Sequence, residues 1–376
     1  MKPRLPVLLV TALLGLFAGC QSPPAYPGPK PAEVLTPMER VADWQLANPS
    51  KQPPDGWVQG AGYAGVMALA DLSTSPRFRE AMMRMGETNA WKPAKRPYHA
   101  DDHCVGQTYL ELYFKQRDAR LIAPLRERFD FILAQPKDGN LDFDAQKNPD
   151  RLDKWSWCDA LFMAPPAWVR MWKATGQKSY LDYAVEHWWQ TSDYLYDQDE
   201  HLYFRDSSYF ARREANGKKV FWARGNGWVM GGLVRVLQYL PRDHPACPRF
   251  ERQFREMAAK LVTLQQPDGF WRSSLLDPES YPAKEASGTG FYCYALTWGV
   301  NEGLLDRAAY QPVALKAWSA LVGCVQPDGK LIHVQPIGAD PKKFDENATE
   351  PYGVGAFLLA GSEVYRLGVG VVPAVK

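Results

Sequence analysis

A short turn sequence recurs three times along this chain, each time directly after an apolar stretch with helical spacing. In each copy a Gln-Pro pair precedes Asp-Gly, and proline ends a helix while Asp-Gly supplies a turn. The copies at Gln266 and Gln326 lie 60 residues apart, and the copy at Gln135 precedes Gln266 by 131 residues, close to twice that interval. Because this interval holds about two helices with their loops, the repeating unit is predicted to be a helical hairpin.

Apolar residues at intervals of three and four recur through most of the chain and predict amphipathic helices. Alternating strand patterns are limited to residues 202–206 and 330–335. About six hairpins fit between Val41 and Leu367, and that number closes into an all-α (α/α)6 barrel with inner and outer rings of helices. An open solenoid of paired helices is the alternative. The predicted helical stretches are residues 106–114, 120–133, 160–173, 180–195, 227–240, 250–264, 291–305, 313–325 and 354–367.

The first 20 residues have the order of an export signal. Lys2 and Arg4 precede an apolar run too short to span a bilayer, and small residues lead to Cys20. Leu-Phe-Ala-Gly-Cys is similar to a bacterial lipobox, so we expect Cys20 to carry lipid, with plain secretion as the alternative. Gln21 follows, which favours an outer-membrane or periplasmic lipoprotein of the cell envelope that touches the membrane only through this anchor.

Proline content then sets the predicted domain boundaries. Residues 21–40 are rich in proline and lack hydrophobic periodicity, so an extended tether is predicted there. A single globular domain is expected over residues 41–370.

Charge and cysteine usage exclude several classes of protein. Lys and Arg number 44 against 42 Asp and Glu and are scattered, so no nucleic-acid partner is expected. Five cysteines besides Cys20, at irregular spacing and without a Cys-x-x-Cys pair, argue against a disulfide framework or a zinc ribbon. The 14 Trp and 18 Tyr suit either a cleft for flat ligands or sugars or the filling of a core.

The first candidate site surrounds Asp101 and Asp102, just before a predicted helix. These carboxylates could cap the helix, or one could stand in a pocket with its pKa set by the other and by nearby histidines. His99 and His103 are four residues apart, but no third histidine lies near and no His-Glu-x-x-His motif occurs, so no metal site is expected.

The second candidate is Asp159, which follows Trp-Ser-Trp-Cys and precedes Met163 by four residues. That spacing places Asp159 and Met163 on one helical face. Aromatic neighbours such as Trp157 would desolvate the carboxyl and raise its pKa, as a general acid near neutral pH requires. A helix cap within an aromatic core is the alternative.

The third candidate is the segment Arg-Gly-Asn-Gly-Trp from Arg224 to Trp228. Glycines on both sides of Asn226 let the backbone approach another group closely, while Arg224 and Trp228 offer a fork of donors and a flat ring. A sugar carboxylate suits such a site. A capped helix start with an arginine ion pair is the alternative.

Five segments, in order, resemble the unsaturated glucuronyl and rhamnogalacturonyl hydrolases of glycoside hydrolase families 88 and 105, over nearly all of residues 45–370. They are DD-x3-GQTYLELY, WCDALFMAPP, FWARGNGW, SGTGFYCYALTWGVNEGLL and YGVGAFLLAGSEVY. The resemblance implies an (α/α)6 barrel without metal or cofactor. It also implies removal of the 4,5-unsaturated uronic acid (galacturonyl or glucuronyl) that polysaccharide lyases leave at the non-reducing end.

The same resemblance implies roles for individual residues. Asp159 matches the family's general acid and base, which protonates C4 of the vinyl ether and helps a water attack C5, so that a hemiketal forms and opens. Its partner carboxylate matches Asp101, favoured by the spacing to Gly106, or Asp102. The expected substrate contacts are Met163, Arg224, Trp228, Trp157 and His103.

One position departs from the family pattern. Many members carry a histidine after a Leu-Tyr-aromatic stretch, where this chain has Arg205 and Asp206. Arg205 is expected to take over sugar binding, and a surface pair with Asp206 is the alternative.

We therefore expect a monomeric hydrolase for short unsaturated uronides from pectin, with rhamnogalacturonan as their source. An ordinary glycosidase that uses Asp159 with Asp101 or Asp102 on saturated sugars is a second hypothesis. A carbohydrate-binding lipoprotein without catalysis is a third.

Overall fold

The computed structural model describes residues 28–370, so the predicted signal peptide and Cys20 lie outside the described residues. Within them, strands β1 (Tyr196–Asp197) and β2 (Leu202–Tyr203) pair antiparallel. Short 3-10 segments span Ala100–His103, Ala119–Leu121, Arg151–Asp153 and Ser207–Tyr209. The helices are α1 (Pro31–Ala47), α2 (Trp57–Ala70), α3 (Arg77–Thr88), α4 (Gly106–Gln116), α5 (Ala123–Ala134), α6 (Ala160–Met163), α7 (Pro165–Thr175), α8 (Lys178–Leu195), α9 (Ala223–Leu237), α10 (Cys247–Val262), α11 (Ala286–Asn301), α12 (Arg307–Val322) and α13 (Pro351–Val369).

These helices form two concentric rings. The inner ring runs through α2, α4, α6 with α7, α9, α11 and α13, each in contact with the next, and α13 returns to contact α2. Outer helices pack behind them, with α3 on α2, α8 on α7, α10 on α9, α12 on α11 and α1 on α13. Because the first and last inner helices touch, the ring is closed. The predicted (α/α)6 barrel is confirmed, and an open solenoid is excluded.

The second and third copies of the repeated sequence form equivalent turns in successive hairpins, whereas residues 136–140 of the first copy form no turn. Gly269 and Gly329 have φ of +89° and +99°, a region that favours glycine, and each donates its N–H to the glutamine carbonyl three residues earlier at 2.9 Å. A Cβ on Gly269 would lie 2.7 Å from the Lys316 carbonyl of α12, and one on Gly329 would lie 2.5 Å from the Arg40 carbonyl of α1. Helix α1 is thus the outer helix after α12 in the ring, although it comes first in the chain.

Helix α1 corrects the predicted tether over residues 21–40, which is wrong from Pro31 onward. Pro31 holds the first helical position, where the missing N–H of proline costs no hydrogen bond. Val34, Met38 and Val41 repeat at intervals of four and three and are buried, on the helix that packs against α13. The high proline content masked this helical period, so the domain begins about ten residues before the predicted boundary.

The nine predicted helical stretches correspond to the helices from α4 to α13, with ends shifted by a few residues. Helices α2 and α3 were not among them. Helix α2 is rich in Gly and Ala and buried on nearly every side, so it has no polar face to reveal a period. Of the two predicted strand segments, residues 202–206 contain β2, whereas residues 330–335 contribute one isolated bridge, from Leu331 to Val325.

The inner helices approach one another backbone to backbone at glycines. A Cβ on Gly355 of α13 would lie 2.2 Å from the carbonyl oxygen of Ala61 in α2, and one on Gly65 would lie 2.5 Å from the Gly355 carbonyl. Gly232 of α9 stands equally close to the Leu161 carbonyl of α6, at 2.3 Å. No real Cβ fits at these distances, so the width of the inner ring depends on these glycines.

No helix within residues 28–370 is long and apolar enough to cross a bilayer. The cysteines of this part of the chain are buried free thiols.

Replacing Gly355 with Ala should destabilise the barrel where the ring closes. The added methyl group meets a backbone carbonyl that cannot rotate away, and overpacking of this kind costs about 1–3 kcal/mol. Urea denaturation followed by tryptophan fluorescence should give a lower midpoint for Gly355→Ala. Gly338→Ala is the matched control, because the atom nearest to its added methyl, the Pro336 carbonyl oxygen, is 3.8 Å away. Equal midpoints for the two variants would contradict this account.

Candidate active site

The beginnings of several inner helices meet at one end of the barrel. Trp57 is the first residue of α2, Trp228 lies near the start of α9, and Tyr352 near the start of α13. The Trp57 ring stacks on Tyr352 at 5.5 Å and meets Trp228 edge-on at 6.2 Å. Since helix amino termini carry partial positive charge, this aromatic mouth favours an anionic ligand.

Asp159 stands at this mouth, directly before α6, with its side chain 13% exposed. The backbone N–H of Cys158 donates to the Arg205 carbonyl at 2.8 Å, which fixes the segment. The Asp159 carboxyl makes no capping hydrogen bond to its own helix, so the helix-cap alternative is not realised. Burial raises the pKa of Asp159, and the positive charges of Arg205 and Arg224 only partly oppose that rise.

Asp101 is the neighbouring carboxyl, in the 3-10 segment before α4. Burial, and then the negative charge of Asp159, raise the pKa of Asp101 to about 7. His99 Nδ1 accepts the Asp101 N–H at 3.3 Å and lies 3.8 Å from its Oδ2. Burial lowers the pKa of His99 to about 4, so this ring is neutral near pH 7. Because adjacent carboxylates resist double ionisation, the two aspartates together retain a proton near neutral pH.

Asp102 turns away from this pair. Its buried carboxylate accepts the backbone N–H of Arg96 at 2.6 Å and pairs with the Arg96 guanidinium, Nη2 to Oδ1, at 2.5 Å. The sequence favoured Asp101 as the partner carboxylate and left Asp102 as the alternative. The structure places Asp101 beside Asp159 and ties Asp102 into the fold.

His103 is also turned into the core, which corrects its prediction as a substrate contact. Its Nε2 lies 2.8 Å from the Pro97 carbonyl, and its Nδ1 accepts the Trp168 indole N–H at 3.2 Å. Both ring nitrogens are therefore used inside the protein, and burial lowers the His103 pKa to about 4.

Arg205 lies against Asp159, with Nε 3.7 Å from Oδ2. Its Nη1 donates to the buried Asp206 carboxylate at 2.7 Å, so this pair is interior rather than a surface pair. The Arg205 guanidinium also lies over the Phe143 ring, 4.7 Å from its centre. Sequence patterns gave no sign of Phe143, because it comes from a loop 62 positions earlier in the chain.

Arg224 is buried at the start of α9 and donates to the carbonyl oxygens of Gln335 and Pro336, at 2.5 and 3.0 Å. The Gln335 carbonyl also accepts the Tyr352 hydroxyl at 2.6 Å, so Gln335 joins two sides of the mouth. Arg224 therefore bonds to carbonyls and not to the carboxylate that an ion-pair interpretation needs. Its Nε and the indole N–H of Trp228 are buried without a hydrogen-bond partner.

Trp57, Tyr352 and Gln335 were not predicted as site residues. Tyr352 lies in a motif that carried the family resemblance. The only sequence signal for Trp57 was its position after Gly56 at the start of a helix. No sequence signal marked Gln335, which joins the site through contacts with residues distant in sequence.

The glycines around Asn226 have a packing role. Gly227 of α9 lies against Gly288 of α11, where an added Cβ would be 3.2 Å from the Gly288 Cα. The Asn226 side chain accepts the Tyr203 N–H at 2.7 Å and donates to the Tyr203 carbonyl at 3.0 Å, as a neighbouring strand would. The segment therefore holds β2, and with it Arg205, beside the mouth.

Trp157 and Met163 are both buried next to the Asp159 segment. The Trp157 ring lies 5.0 Å from the His99 ring, which places it behind the Asp101–Asp159 pair. Met163 ends α6, on the same short helix that Asp159 precedes. Both side chains are part of the core beside Asp159, 3% and 1% exposed, and their predicted contacts with substrate stay predictions.

A cleft of about 680 Å³ opens beside the mouth and is lined by Trp57, Lys95, Arg96 and Asp102. Within residues 28–370 no group of three or more His, Cys, Asp or Glu side chains is placed to hold a metal ion.

Comparison with known proteins gives concordant matches. The family model described as Glycosyl Hydrolase Family 88 matches residues 32–368. An unsaturated 3S-rhamnoglycuronyl hydrolase from Formosa agariphila is 38% identical over 354 residues, which cover 91% of this chain and 93% of the relative. A solved structure of a glycosyl hydrolase family 88 protein from Bacteroides vulgatus has a TM-score of 0.82 at 31% identity, covering 90% of this chain and 100% of that one. Another, described as a polysaccharide lyase, has a TM-score of 0.82 at 34% identity, covering 92% and 99%.

Replacing Asp101 with Asn should remove a pH-dependent loss of stability. The folded pKa of Asp101, about 7, exceeds its ordinary value of 3.8, so the folded state holds the proton more tightly. The stability of the wild type should therefore fall as pH rises from about 3.8 to about 7. Asn cannot ionise, so Asp101→Asn should lose this decline and exceed the wild type above pH 7. Urea unfolding across this range is the measurement.

Asp102→Asn is the matched control, since it changes the adjacent residue. It removes the partner of Arg96 and should lower the stability of the protein by about 1–3 kcal/mol at neutral pH. This change is opposite in sign to the one expected for Asp101→Asn. An identical pH-dependent decline in Asp101→Asn and wild type would show that Asp101 is not the group responsible.

Proposed function

The chain belongs to Glycosyl Hydrolase Family 88, and we propose on this basis that it removes 4,5-unsaturated uronic acids from the non-reducing ends of lyase-generated oligosaccharides. It is a glycoside hydrolase, and its curated relatives act on unsaturated uronyl groups, as the name of the Formosa agariphila protein states. The observation that carries the proposal is the Asp101–Asp159 pair, a proton-holding pair of carboxyls at an aromatic mouth that favours anions.

The chemistry assigned to this pair is hydration of the C4=C5 vinyl ether. Protonated Asp159 donates its proton to C4, and the positive charge that develops at C5 and the ring oxygen is met by the oxygen of a water molecule. That water returns a proton to the Asp159 carboxylate as its oxygen bonds to C5. The resulting hemiketal opens to a ketone at C5 as the bond from C5 to the ring oxygen breaks and that oxygen takes a proton. The hemiacetal this leaves at C1 then collapses to an aldehyde: the C1–O bond to the remaining sugar breaks, and that sugar takes the proton and leaves as an alcohol.

The uronate carboxylate is assigned to the buried donors of α9. Arg224 Nε and Trp228 Nε1 are without hydrogen-bond partners, and their positions four residues apart put them on one helical face. Both side chains are fully buried, so the carboxylate reaches these donors only when the mouth opens. It would then satisfy two groups that are otherwise costly to bury. The half-buried Trp57, stacked on Tyr352, offers a flat surface to the planar part of the sugar ring.

Rhamnose is proposed as the sugar beyond the cleaved bond. The Formosa agariphila relative has rhamnose in its name, and the expectation from the sequence motifs was a rhamnogalacturonan product. The cleft beside the mouth, about 680 Å³, has room for this second sugar. A panel of oligosaccharides can vary the unsaturated uronyl group, glucuronyl or galacturonyl, and the sugar next to it, rhamnose or another. The rates of cleavage would identify which uronyl group and which neighbouring sugar the enzyme prefers.

A polysaccharide lyase is the second candidate, because a neighbour described by that name is 34% identical over 92% of this chain. A lyase removes the C5 proton and creates the double bond that a hydrolase of this kind consumes. The two reactions therefore change the ultraviolet absorbance of the conjugated bond in opposite directions.

Asp159→Asn should fold normally and lose nearly all turnover, because the amide has no proton to donate to C4. Incubation with an unsaturated disaccharide should make the absorbance of the conjugated bond fall for the wild type and stay constant for Asp159→Asn. Asp138→Asn is the matched control, since Asp138 is exposed on the loop after α5 and should leave the rate unchanged.

Three other outcomes would contradict the proposal. Absorbance that rises with a saturated polysaccharide would identify a lyase. Cleavage of a matched saturated disaccharide would identify an ordinary glycosidase, and an Asp159→Asn variant with wild-type turnover would remove Asp159 from the mechanism.

The N-terminal segment is proposed to place this enzyme, as a monomer, in the cell envelope, outside the cytoplasm. The support is the lipobox-like order ending at Cys20 and the start of α1 at Pro31, which leaves about ten residues as a tether. An enzyme held there would meet short oligosaccharides as they arrive from outside the cell.

Cys20→Ala should abolish lipid attachment and move the protein from the membrane fraction to the soluble fraction. Metabolic labelling with an alkyne fatty acid, followed by fractionation, measures both effects. Cys247→Ala, a change of a buried thiol in the barrel, should leave labelling intact. Label retained on the Cys20 variant would refute the anchor.

A further inference from the structure

Arg205 is held by contacts on three sides. Its Nη1 donates to Asp206, its guanidinium lies over the Phe143 ring at 4.7 Å, and its Nε faces Asp159 Oδ2 at 3.7 Å. The Nε is buried and makes no hydrogen bond. The bond to Asp206 restrains one nitrogen only, and the ring of Phe143 and the carboxyl of Asp159 are the other two contacts of the guanidinium.

Phe143 is itself fixed by hydrogen bonds of its loop, residues 140–148. Its N–H donates to Ser207 Oγ at 2.9 Å, and this hydroxyl donates to Asp142 at 3.2 Å. The buried Asn148 side chain donates to the carbonyls of Asn140 and Asp142, at 3.0 and 2.9 Å, and closes the loop on itself. The loop is thus tied to the segment that follows Arg205.

We propose that Phe143 is a positioning residue of this enzyme, whose ring holds the Arg205 guanidinium against Asp159. The proposal rests on the proposed function of Asp159 as the proton donor. A cation over an aromatic face is attracted by the ring, and the attraction strengthens where water is excluded, as it is around the buried Arg205 Nε.

The expected consequence is a change in the acidity of the catalytic pair. Arg205 opposes the rise in the pKa of Asp159 and also that of Asp101. If Arg205 moves away, both pKa values rise, and the alkaline limb of the kcat profile, where the donor loses its proton, moves to higher pH. The other charged or titratable groups that face the pair or Arg205 are Arg224, Cys158, Asp206, Arg96, Asp102, His99, Cys104 and Tyr209. The Arg151 guanidinium also lies over the Phe143 ring, 5.4 Å from its centre.

The test compares substitutions of Phe143 that separate an aromatic face from mere bulk. Phe143→Ala and Phe143→Leu should both move the alkaline limb of kcat upward, whereas Phe143→Trp, which keeps an aromatic face, should restore it. Phe131→Ala, which truncates a 40% exposed phenyl group on α5, is the matched control and should not move the limb. The leucine variant keeps the proposal testable if the alanine variant folds poorly.

A double-mutant cycle with Arg205→Gln shows whether the effect passes through Arg205. Arg205→Gln alone should shift the limb upward by about 1 pH unit or more, and adding Phe143→Leu should then shift it no further. A limb that stays in place in Phe143→Leu, or a shift that persists unchanged without Arg205, overturns the proposal.

Titration of the resting enzyme separates failure of this proposal from failure of the proposed function. With carbon-13-labelled aspartate, NMR should show the Asp101 carboxyl ionising near pH 7 in the absence of substrate. An upward shift of this titration in Phe143→Leu, and none in Phe131→Ala, supports the positioning role even if unsaturated uronides are not cleaved. An unchanged titration contradicts it even if they are.

Discussion

The close approach of the inner helices is the constraint on which the rest of the molecule depends. Helices α2 and α13 pack backbone to backbone because Gly65 and Gly355 carry no Cβ. This contact closes the ring and brings Trp57 against Tyr352 at the amino-terminal ends of the same two helices. The contact between the Trp57 and Tyr352 rings is therefore a consequence of glycines that lie deeper in the barrel.

Within that mouth, the placement of arginines decides which carboxyl can keep a proton. Arg96 donates its backbone N–H to Asp102 and pairs with it through the guanidinium, so Asp102 stabilises the fold. Arg224 is buried close to Asp159 but is engaged by backbone carbonyls. Arg205 lies nearer, with its Nε 3.7 Å from Asp159 Oδ2, which is long for a bidentate pair. Burial consequently outweighs the attraction, and Asp159 retains the raised pKa that a proton donor needs.

Local sequence patterns were enough to predict the hairpin repeat, the barrel and the Asp159 and Arg224 segments, because helical period and desolvating neighbours are properties of adjacent residues. These patterns did not predict the direction in which each side chain of a short segment points. One 3-10 turn sends Asp101 toward Asp159 and Asp102 and His103 into the protein, and no periodicity distinguishes these directions. Helix α1 was missed because proline content outweighed a short apolar period, and Trp57, Gln335 and Phe143 join the site only through contacts distant in sequence.

The candidate site is divided between the ring of inner helices and the loops. Asp159 and Arg224 stand at the starts of inner helices whose spacing is set by glycine contacts, so a change there disturbs the core. Arg205 and Phe143 come from loop segments joined to each other by a ring contact and a few hydrogen bonds. The sequence motifs led us to expect a histidine at the position of Arg205. Because the contacts of Arg205 lie outside the ring, this position can change, together with the loop that holds it, without repacking the barrel. On the proposed function, the acidity of Asp159 can therefore be adjusted separately from the fold.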